Sequence, residues 1–352
     1  MSFFGNRDRE AKMRQSSFDA PGRRGADSRH GQTFGSTAAG APETEAKIVL
    51  VKRRTRLEEL VVRYNTIQQA QFYVERLGAD FGDYIREDRV YRAALHQATE
   101  SLSVVGRVQH VDREHVPNFI FGEKDVVVVL GQDGLVANTL KYAAYRPLIG
   151  VNPDPQRWDG ALLPFKVGEL QSVARDILRD KRPVKEVRLA QAELNDGQVL
   201  YAVNDLFIGR RTHVSARYEL RINEAAEQQS SSGIIVSTGM GSTGWLRSVL
   251  AGAAGIASGA AGQPAQALTP DASFGWDSPY LYFSVREPYP SRATSANLVF
   301  GKIDERSPLR IMSQMPESGV IFSDGVEDDY LEFGSGVEAS ITVAERRGLL
   351  AV

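Results

Sequence analysis

The first half of the chain alternates short apolar runs with amphipathic stretches. Residues 47–52 and 125–130 contain β-branched runs without polar alternation, which is typical of strands buried on both faces of a parallel sheet. Apolar positions from Leu57 to Val74 recur at mostly helical spacing, and residues 83–101 and 168–178 also have helical patterns. This alternation predicts a Rossmann-like parallel α/β domain.

The pattern changes after Pro183, where short strands are joined by Asn, Asp and Gly turns. Asn195-Asp196-Gly197 is a strong hairpin signal. The pattern predicts strands at 186–194, 199–208, 216–222, 233–237, 280–285, 296–300, 309–312 and 320–322. A run of strands after an α/β region predicts a second, β-rich domain, with a site in the cleft between the two.

The ends of the predicted helices and domains can also be placed. Thr55 and Glu58 have the spacing of a capping box, and Gly78 is a suitable helix stop. Residues 1–45 are poor in large apolar side chains, so we expect a disordered tail. The α/β domain then covers 46–182 and the β-rich domain 183–352. This division leaves open that the last roughly 25 residues return to the first domain.

Composition removes several classes of function. The 352 residues have a net charge of −2 and no cysteine, so disulfides, thiolate metal sites and cysteine nucleophiles are excluded. The chain shows no extended basic face of the kind that binds nucleic acid, and it has no apolar stretch long enough to span a membrane. The tail has no apolar signal core, and acidic residues interrupt it. These features predict a soluble, cytoplasmic, bacterial protein.

Two small-residue loops carry the candidate chemistry. The first follows a buried strand and contains Gly131, Asp133 and Gly134; such a strand–loop–helix unit points backbone N–H groups at an anion. Its aspartate is a candidate general base or metal ligand, or simply the cap of the next helix. The second loop, 238–244, offers hydroxyls and N–H groups, and Ser242 or Thr243 could cap the helix after it.

Two further polar positions interrupt or end apolar strands. Asn204 and Asp205 lie inside an otherwise apolar run, and buried polar groups there need internal partners or a ligand. A β-bulge or a turn is the alternative interpretation. Asp324 and Gly325 close the last strong apolar strand, where a plain turn and a ligand contact are equally compatible with the sequence.

The order of these motifs resembles the NAD kinase family. That family has Gly-Gly-Asp-Gly, then Asn-Glu or Asn-Asp, then Thr-Pro-Thr-Gly-Ser-Thr-Ala-Tyr; this chain has 131–134, 204–205 and 238–245 in that order, with Gly-Val-Asn at 150–152 between the first two. Thr55-Arg56 and the stretches 152–155, 231–233 and 283–288 look closest to the branch that contains the mitochondrial NAD kinases. The resemblance runs from about Lys47 to the C-terminus.

The resemblance implies an ATP-dependent kinase that phosphorylates the 2′-hydroxyl of NAD, with Mg²⁺ or another divalent cation accompanying ATP. It also implies a homodimer or larger homo-oligomer, without nucleic-acid or membrane partners. Asp133 would be catalytic and could contact the metal. The implied phosphate-binding residues are Gly131, Gln132, Gly134, Gly239, Gly241 and Ser242; the implied NAD-binding residues are Asn204, Asp205, Thr238 and Thr243; Asn138 and Asp324 are further candidates.

The chain departs from the family pattern at four positions. Gln132 replaces a glycine, Leu135 replaces a threonine, Ser232 replaces an aspartate, and Asn138 stands where many relatives have a basic residue. A glutamine could crowd a phosphate or donate a hydrogen bond to it. The alternatives are therefore a related kinase acting on a sugar or lipid hydroxyl, and a non-catalytic dinucleotide-binding protein.

Overall fold

The computed structural model describes residues 43–261 and 273–352. The α-helices are α1 (Arg56–Tyr64), α2 (Ile67–Arg76), α3 (Phe81–Val105), α4 (Asp133–Tyr142), α5 (Leu170–Leu178) and α6 (Trp245–Ala261). The strands of the first half are β1 (Lys47–Lys52), β2 (Arg107–Asp112), β3 (Val126–Leu130), β4 (Pro147–Asn152) and β5 (Phe165–Lys166). Those of the second half are β6 (Val184–Leu194), β7 (Val199–Ala202), β8 (Asp205–Arg210), β9 (Ala216–Ile222), β10 (Ala225–Ser231), β11 (Ile234–Ser237), β12 (Leu281–Val285), β13 (Phe300–Ile303), β14 (Leu309–Ser313), β15 (Gly319–Ser323), β16 (Val326–Glu332) and β17 (Glu338–Ala351).

The first half forms a parallel sheet with helices on both faces. Strands β2, β1, β3, β4 and β5 pair in parallel in that order. One face packs against α3 and α5, the other against α4. Every residue of β3 is buried, as its unbroken apolar run predicts.

The second half contributes antiparallel strands to this sheet and builds another one. Strand β17 pairs in parallel with β4 and antiparallel with β6 and β14, which makes a single sheet of eleven strands. The other sheet is antiparallel, in the order β13-β12-β11-β8-β15-β16. A core of aliphatic and aromatic side chains lies between them. The predicted fold class, a parallel α/β region followed by a β-rich region, is confirmed.

Several local predictions are also confirmed. Thr55 and Glu58 form the capping box of α1, and the Asn195–Gly197 turn joins β6 to β7. The helix predicted through Val74 is instead two helices, because Asn65 adopts the left-handed conformation (φ 66°) between them. Strands β2, β5, β10, β16 and β17 were not predicted, and β13 begins where the sequence predicted that strand to end.

The predicted strand 199–208 is also wrong, and the error concerns the candidate site. The chain leaves the eleven-stranded sheet after Ala202 and enters the six-stranded sheet at Asp205. Residues 203–205 are therefore a crossing between two sheets, hereafter the switch segment. The turn between the sheets explains why polar residues occur here within an apolar run.

The prediction for the N-terminal tail concerns residues that lie almost wholly outside the described ranges, which begin at residue 43. Among the residues that the structure describes, no helix is both long and apolar enough to cross a membrane.

Candidate functional site

The first loop places Asp133 at the start of α4. Gln132 is the N-cap residue, but its side chain makes no capping hydrogen bond. Asp133 lies in the first turn, where the helix dipole favours a carboxylate. Its Oδ1 atom accepts a hydrogen bond from the backbone N–H of Leu162, at 2.8 Å. Asp133 is thus held by another loop and is not the cap of its own helix.

The two glycines of this loop differ in their surroundings. A Cβ atom on Gly131 would lie 2.9 Å from the Leu135 side chain, whereas one on Gly134 would meet no atom within 4 Å. Packing within the described chain therefore does not require glycine at position 134. The space in front of Gly134, beside Asp133, is open to a ligand.

The second loop is held by its own side chains. The Thr238 hydroxyl donates to the carbonyl of Val203 at 2.5 Å and accepts from the N–H of Gly241 at 3.2 Å. The Ser242 hydroxyl donates to the Gly239 carbonyl at 2.7 Å, so it does not cap α6 as the sequence suggested. Both side chains are buried, and we infer that they shape the loop. Thr243 is exposed.

Close backbone contacts explain the glycines of this loop. A Cβ atom on Gly241 would lie 2.2 Å from the backbone oxygen of Asn204, and one on Gly239 would lie 1.9 Å from that of Gly275. Any larger residue would push these segments apart. The second loop is therefore packed directly on the switch segment, and the structure brings together Asn204, Asp205 and the predicted Gly/Ser/Thr cluster.

Asp324 holds the switch segment from the other side. Its carboxylate accepts hydrogen bonds from the backbone N–H groups of Val203, Asn204 and Asp205, at 3.0, 2.6 and 3.3 Å. The Asp324 side chain is only 2% exposed. Burial raises the pKa of Asp324, while Lys141 and the three N–H groups act in the opposite direction. These contacts occupy the carboxylate, so we infer a structural role for this residue.

Lys141, on α4, connects that helix to Asp324. Its ammonium lies 2.5 Å from Asp329 and 2.8 Å from the Ser323 hydroxyl, and it is as buried as Asp324. The Tyr142 hydroxyl donates to the same Asp329 oxygen at 2.7 Å. Burial, followed by this hydrogen bond, raises the pKa of Tyr142. No sequence motif predicted a role for Lys141 or Tyr142; the one available signal was a lysine within an apolar helical stretch.

Asp205 forms part of the wall of a cavity of about 530 Å³. Its Oδ1 atom is buried and has no hydrogen-bond partner among the described residues. Burial raises the pKa of Asp205 to about 7; the Ser237 hydroxyl opposes this shift and the charge of Asp324 adds to it. A carboxyl group in this state can accept a hydrogen bond from a ligand hydroxyl. The cavity is lined by Asp205, Phe207, Arg211, Trp245, Arg286, Phe322, Gly325, Val326 and Tyr330.

Asn138 faces a second, more polar cavity of about 450 Å³. The residue is 5% exposed, and its Oδ1 atom has no partner in the described chain. Arg53, Arg54 and Arg113 line the same cavity together with several carboxylates. The cavity therefore presents charges of both signs to a ligand.

No protein-family model matches the chain, but curated proteins do. It is 25% identical, over an alignment of 262 residues, to NAD kinase 2, mitochondrial, of Rattus norvegicus; the match covers 60% of this chain and 62% of the rat protein. It is 21% identical to the Xenopus tropicalis protein of the same name, over 87% of this chain and 90% of that protein. A bacterial NAD kinase, from Clostridium kluyveri, matches at 27% over 129 residues.

The curated relatives confirm the resemblance to the NAD kinases. The match with the rat relative covers a little over six-tenths of that protein's length, and the match with the human NAD kinase 2 covers 57% of its length. A solved yeast NADH kinase complexed with NADH superposes with a TM-score of 0.49 at 14% identity, over 88% of this chain and 84% of that one.

Proposed function

We propose that this NAD kinase relative transfers the terminal phosphoryl group of ATP to the 2′-hydroxyl of NAD, giving NADP and ADP. The observation that carries the proposal is the position of Asp133. Its Oδ1 atom is fixed by the Leu162 N–H, its other oxygen has no partner among the described residues, and open space lies beside it at Gly134. The names of the curated relatives support the same reaction.

The proposed reaction forms one bond and breaks another. The 2′-oxygen of NAD bonds to the γ-phosphorus of ATP as the bond between that phosphorus and the β–γ bridging oxygen breaks. The hydroxyl proton moves to the free oxygen of Asp133, and ADP leaves. Phosphoryl transfer relies mainly on positioning and charge stabilisation, for which the N-terminus of α4 is suited.

A divalent cation fits this arrangement only as a companion of ATP. The described residues contain no cluster of three or more side chains that could hold a metal ion. Mg²⁺ usually keeps several water ligands and binds substrate phosphates, so the phosphates of ATP and water would hold the ion while the free oxygen of Asp133 faces the 2′-hydroxyl. Bound in this way, the ion would neutralise phosphate charge.

The switch segment is the proposed contact for NAD. Asp205 has a buried oxygen without a partner, and Asn204 adjoins it on a backbone fixed by Asp324. Exposed Thr243 is available to the same ligand, whereas Thr238 and Ser242 act through the shape of the loop. The cytoplasmic location and the homo-oligomeric state remain predictions, and three of the compared relatives have "mitochondrial" in their names.

The test is a turnover assay with purified full-length protein, ATP and Mg²⁺, in which NADP formation is measured. We expect Asp133→Asn to lower turnover about 10²- to 10⁴-fold, since a positioned general base contributes about that much. Asp180→Asn is the matched control, because Asp180 is exposed and lies in a left-handed turn that asparagine tolerates.

Other acceptors are included in the same assay. Phosphorylation of a sugar or lipid hydroxyl without NADP formation would contradict the proposal. So would NAD binding without any turnover, which indicates a non-catalytic dinucleotide-binding protein. A normal rate for Asp133→Asn would remove that residue from the mechanism.

A further inference from the structure

An aromatic row crosses the six-stranded sheet beside the switch segment. Phe207 on β8 lies opposite Phe322 on β15, which lies opposite Tyr330 on β16. Their ring centroids are 6.3 and 5.8 Å apart. Trp245, the first residue of α6, stacks on Phe207 at 5.8 Å with an interplanar angle of 14°. These four residues are hereafter the aromatic row.

The row lies on the face of the sheet that points away from the core. Side chains alternate along a strand, and Leu206 and Ile208 belong to the core, so Asp205 and Phe207 point the other way. A Cβ atom on Gly233 would lie 2.6 Å from the Phe207 ring, so this glycine leaves the room that the ring fills. The aromatic row therefore forms one wall of the 530 Å³ cavity.

An arginine lies at each end of the row. The Arg211 guanidinium is 4.2 Å from the Tyr330 ring centroid, and that of Arg286 is 5.6 Å from the Trp245 ring centroid. Arg286 approaches Glu287 at 3.7 Å, but Glu287 is 66% exposed, and such a pair is weak. Both arginines line the cavity. Arginines stacked on aromatic rings keep their N–H groups available to phosphate.

We propose that Arg211 and Arg286 are specificity-determining residues, which recognise the pyrophosphate of a dinucleotide while one of its bases stacks on the aromatic row. The unpartnered oxygen of Asp205 accepts a hydrogen bond from a ribose hydroxyl of the same ligand. The cavity then selects a dinucleotide over a nucleoside by charge and over an inorganic anion by stacking. The inference rests on the proposed function, because it takes the proposed substrate as the ligand.

Calorimetric titration of the full-length protein tests this inference with NAD, adenosine and inorganic pyrophosphate as probes. We expect Arg211→Gln and Arg286→Gln each to weaken NAD binding about tenfold, the size of one lost charged hydrogen bond, and to leave adenosine binding unchanged. Phe322→Leu should weaken NAD and adenosine alike. The control is Arg310→Gln, since Arg310 is 59% exposed and lies on β14 in the other sheet.

Two results would overturn the inference. One is wild-type affinity for NAD in both arginine variants; the other is a loss of adenosine affinity equal to the loss for NAD. The NADP assay separates these results from failure of the proposed function. Arginine-dependent NAD binding without turnover would reject only the kinase activity. Turnover with unchanged kcat/KM in both variants would reject only the role of the arginines.

Discussion

The Lys141 ammonium lies 3.6 Å from the Asp324 carboxylate, and each side chain is 2% exposed. Lys141 belongs to the helix that Asp133 begins, whereas Asp324 holds the backbone of the switch segment. The proposed catalytic carboxylate and the proposed dinucleotide contact are therefore joined by one buried pair of charges. Disturbing this pair should affect both stability and dinucleotide binding.

We predict that Lys141→Met lowers the free energy of unfolding by roughly 3–5 kcal/mol, because it leaves buried carboxylates without their cation. Chemical denaturation measures this change. The control is Lys181→Met, at an exposed position, which should alter stability by no more than about 0.5 kcal/mol. Equal stability of the two variants would show that the buried lysine contributes little.

The raised pKa of Asp205 predicts a stability that depends on pH. Its pKa is about 7 in the folded protein, against 3.8 as the ordinary value. Below about pH 3, well under the unfolded pKa of 3.8, the carboxyl is protonated in both the folded and unfolded states and does not affect stability; as the pH rises from there to 7 the unfolded state gains stability by ionising first. Asp205→Asn should therefore match the wild type near pH ~3 and be about 2–4 kcal/mol more stable at pH 8.

Denaturation of the wild type and of Asp205→Asn across this pH range tests the prediction, since other titrations cancel in the difference. A constant difference would assign the change to packing. The same substitution should weaken NAD binding if Asp205 contacts the dinucleotide.

Two glycine substitutions should have opposite effects. The Cβ atom added by Gly134→Ala would meet no atom within 4 Å, and alanine is a better helix former than glycine in the first turn of α4. We therefore expect unchanged or higher thermal stability. We also expect turnover about 10- to 100-fold lower, because the methyl group displaces the phosphate. Normal turnover would show that no phosphate approaches this position.

Gly241→Ala should instead damage the fold. Its Cβ atom would lie 2.2 Å from the Asn204 backbone oxygen, and relief of this contact should cost about 1–3 kcal/mol. A thermal melt beside that of Gly134→Ala gives the comparison. A melting temperature equal to the wild type's would contradict the packing of the second loop on the switch segment.

Gln132 provides a test of the main departure from the family motif. Its side chain makes no capping bond, so Gln132→Gly should leave stability nearly unchanged. We expect turnover to fall about tenfold, as for loss of a hydrogen bond to a charged phosphate. Steady-state kinetics with ATP and NAD measure the effect; a faster variant would show that Gln132 crowds the donor.

Local patterns were sufficient for much of this protein. The unbroken apolar run of β3, the capping box at Thr55 and the hairpin at Asn195–Gly197 depend on residues that are close in sequence, so the sequence predicted them correctly. The helix break at Asn65 was missed, since apolar spacing continues on both sides of it. Strand β17 was missed because its central stretch, with Glu345, Arg346 and Arg347, lacks a regular apolar pattern.

The sequence by itself determined the fold class and the order of the loops. Only the tertiary structure decided what Asp205, Asp324 and Lys141 do. Asp324 and Asn204 are 120 residues apart in the chain and meet because residues 203–205 cross from one sheet to the other. Burial, charge pairing and the cavity all follow from that crossing, and no local pattern encodes which distant residues a crossing brings into contact.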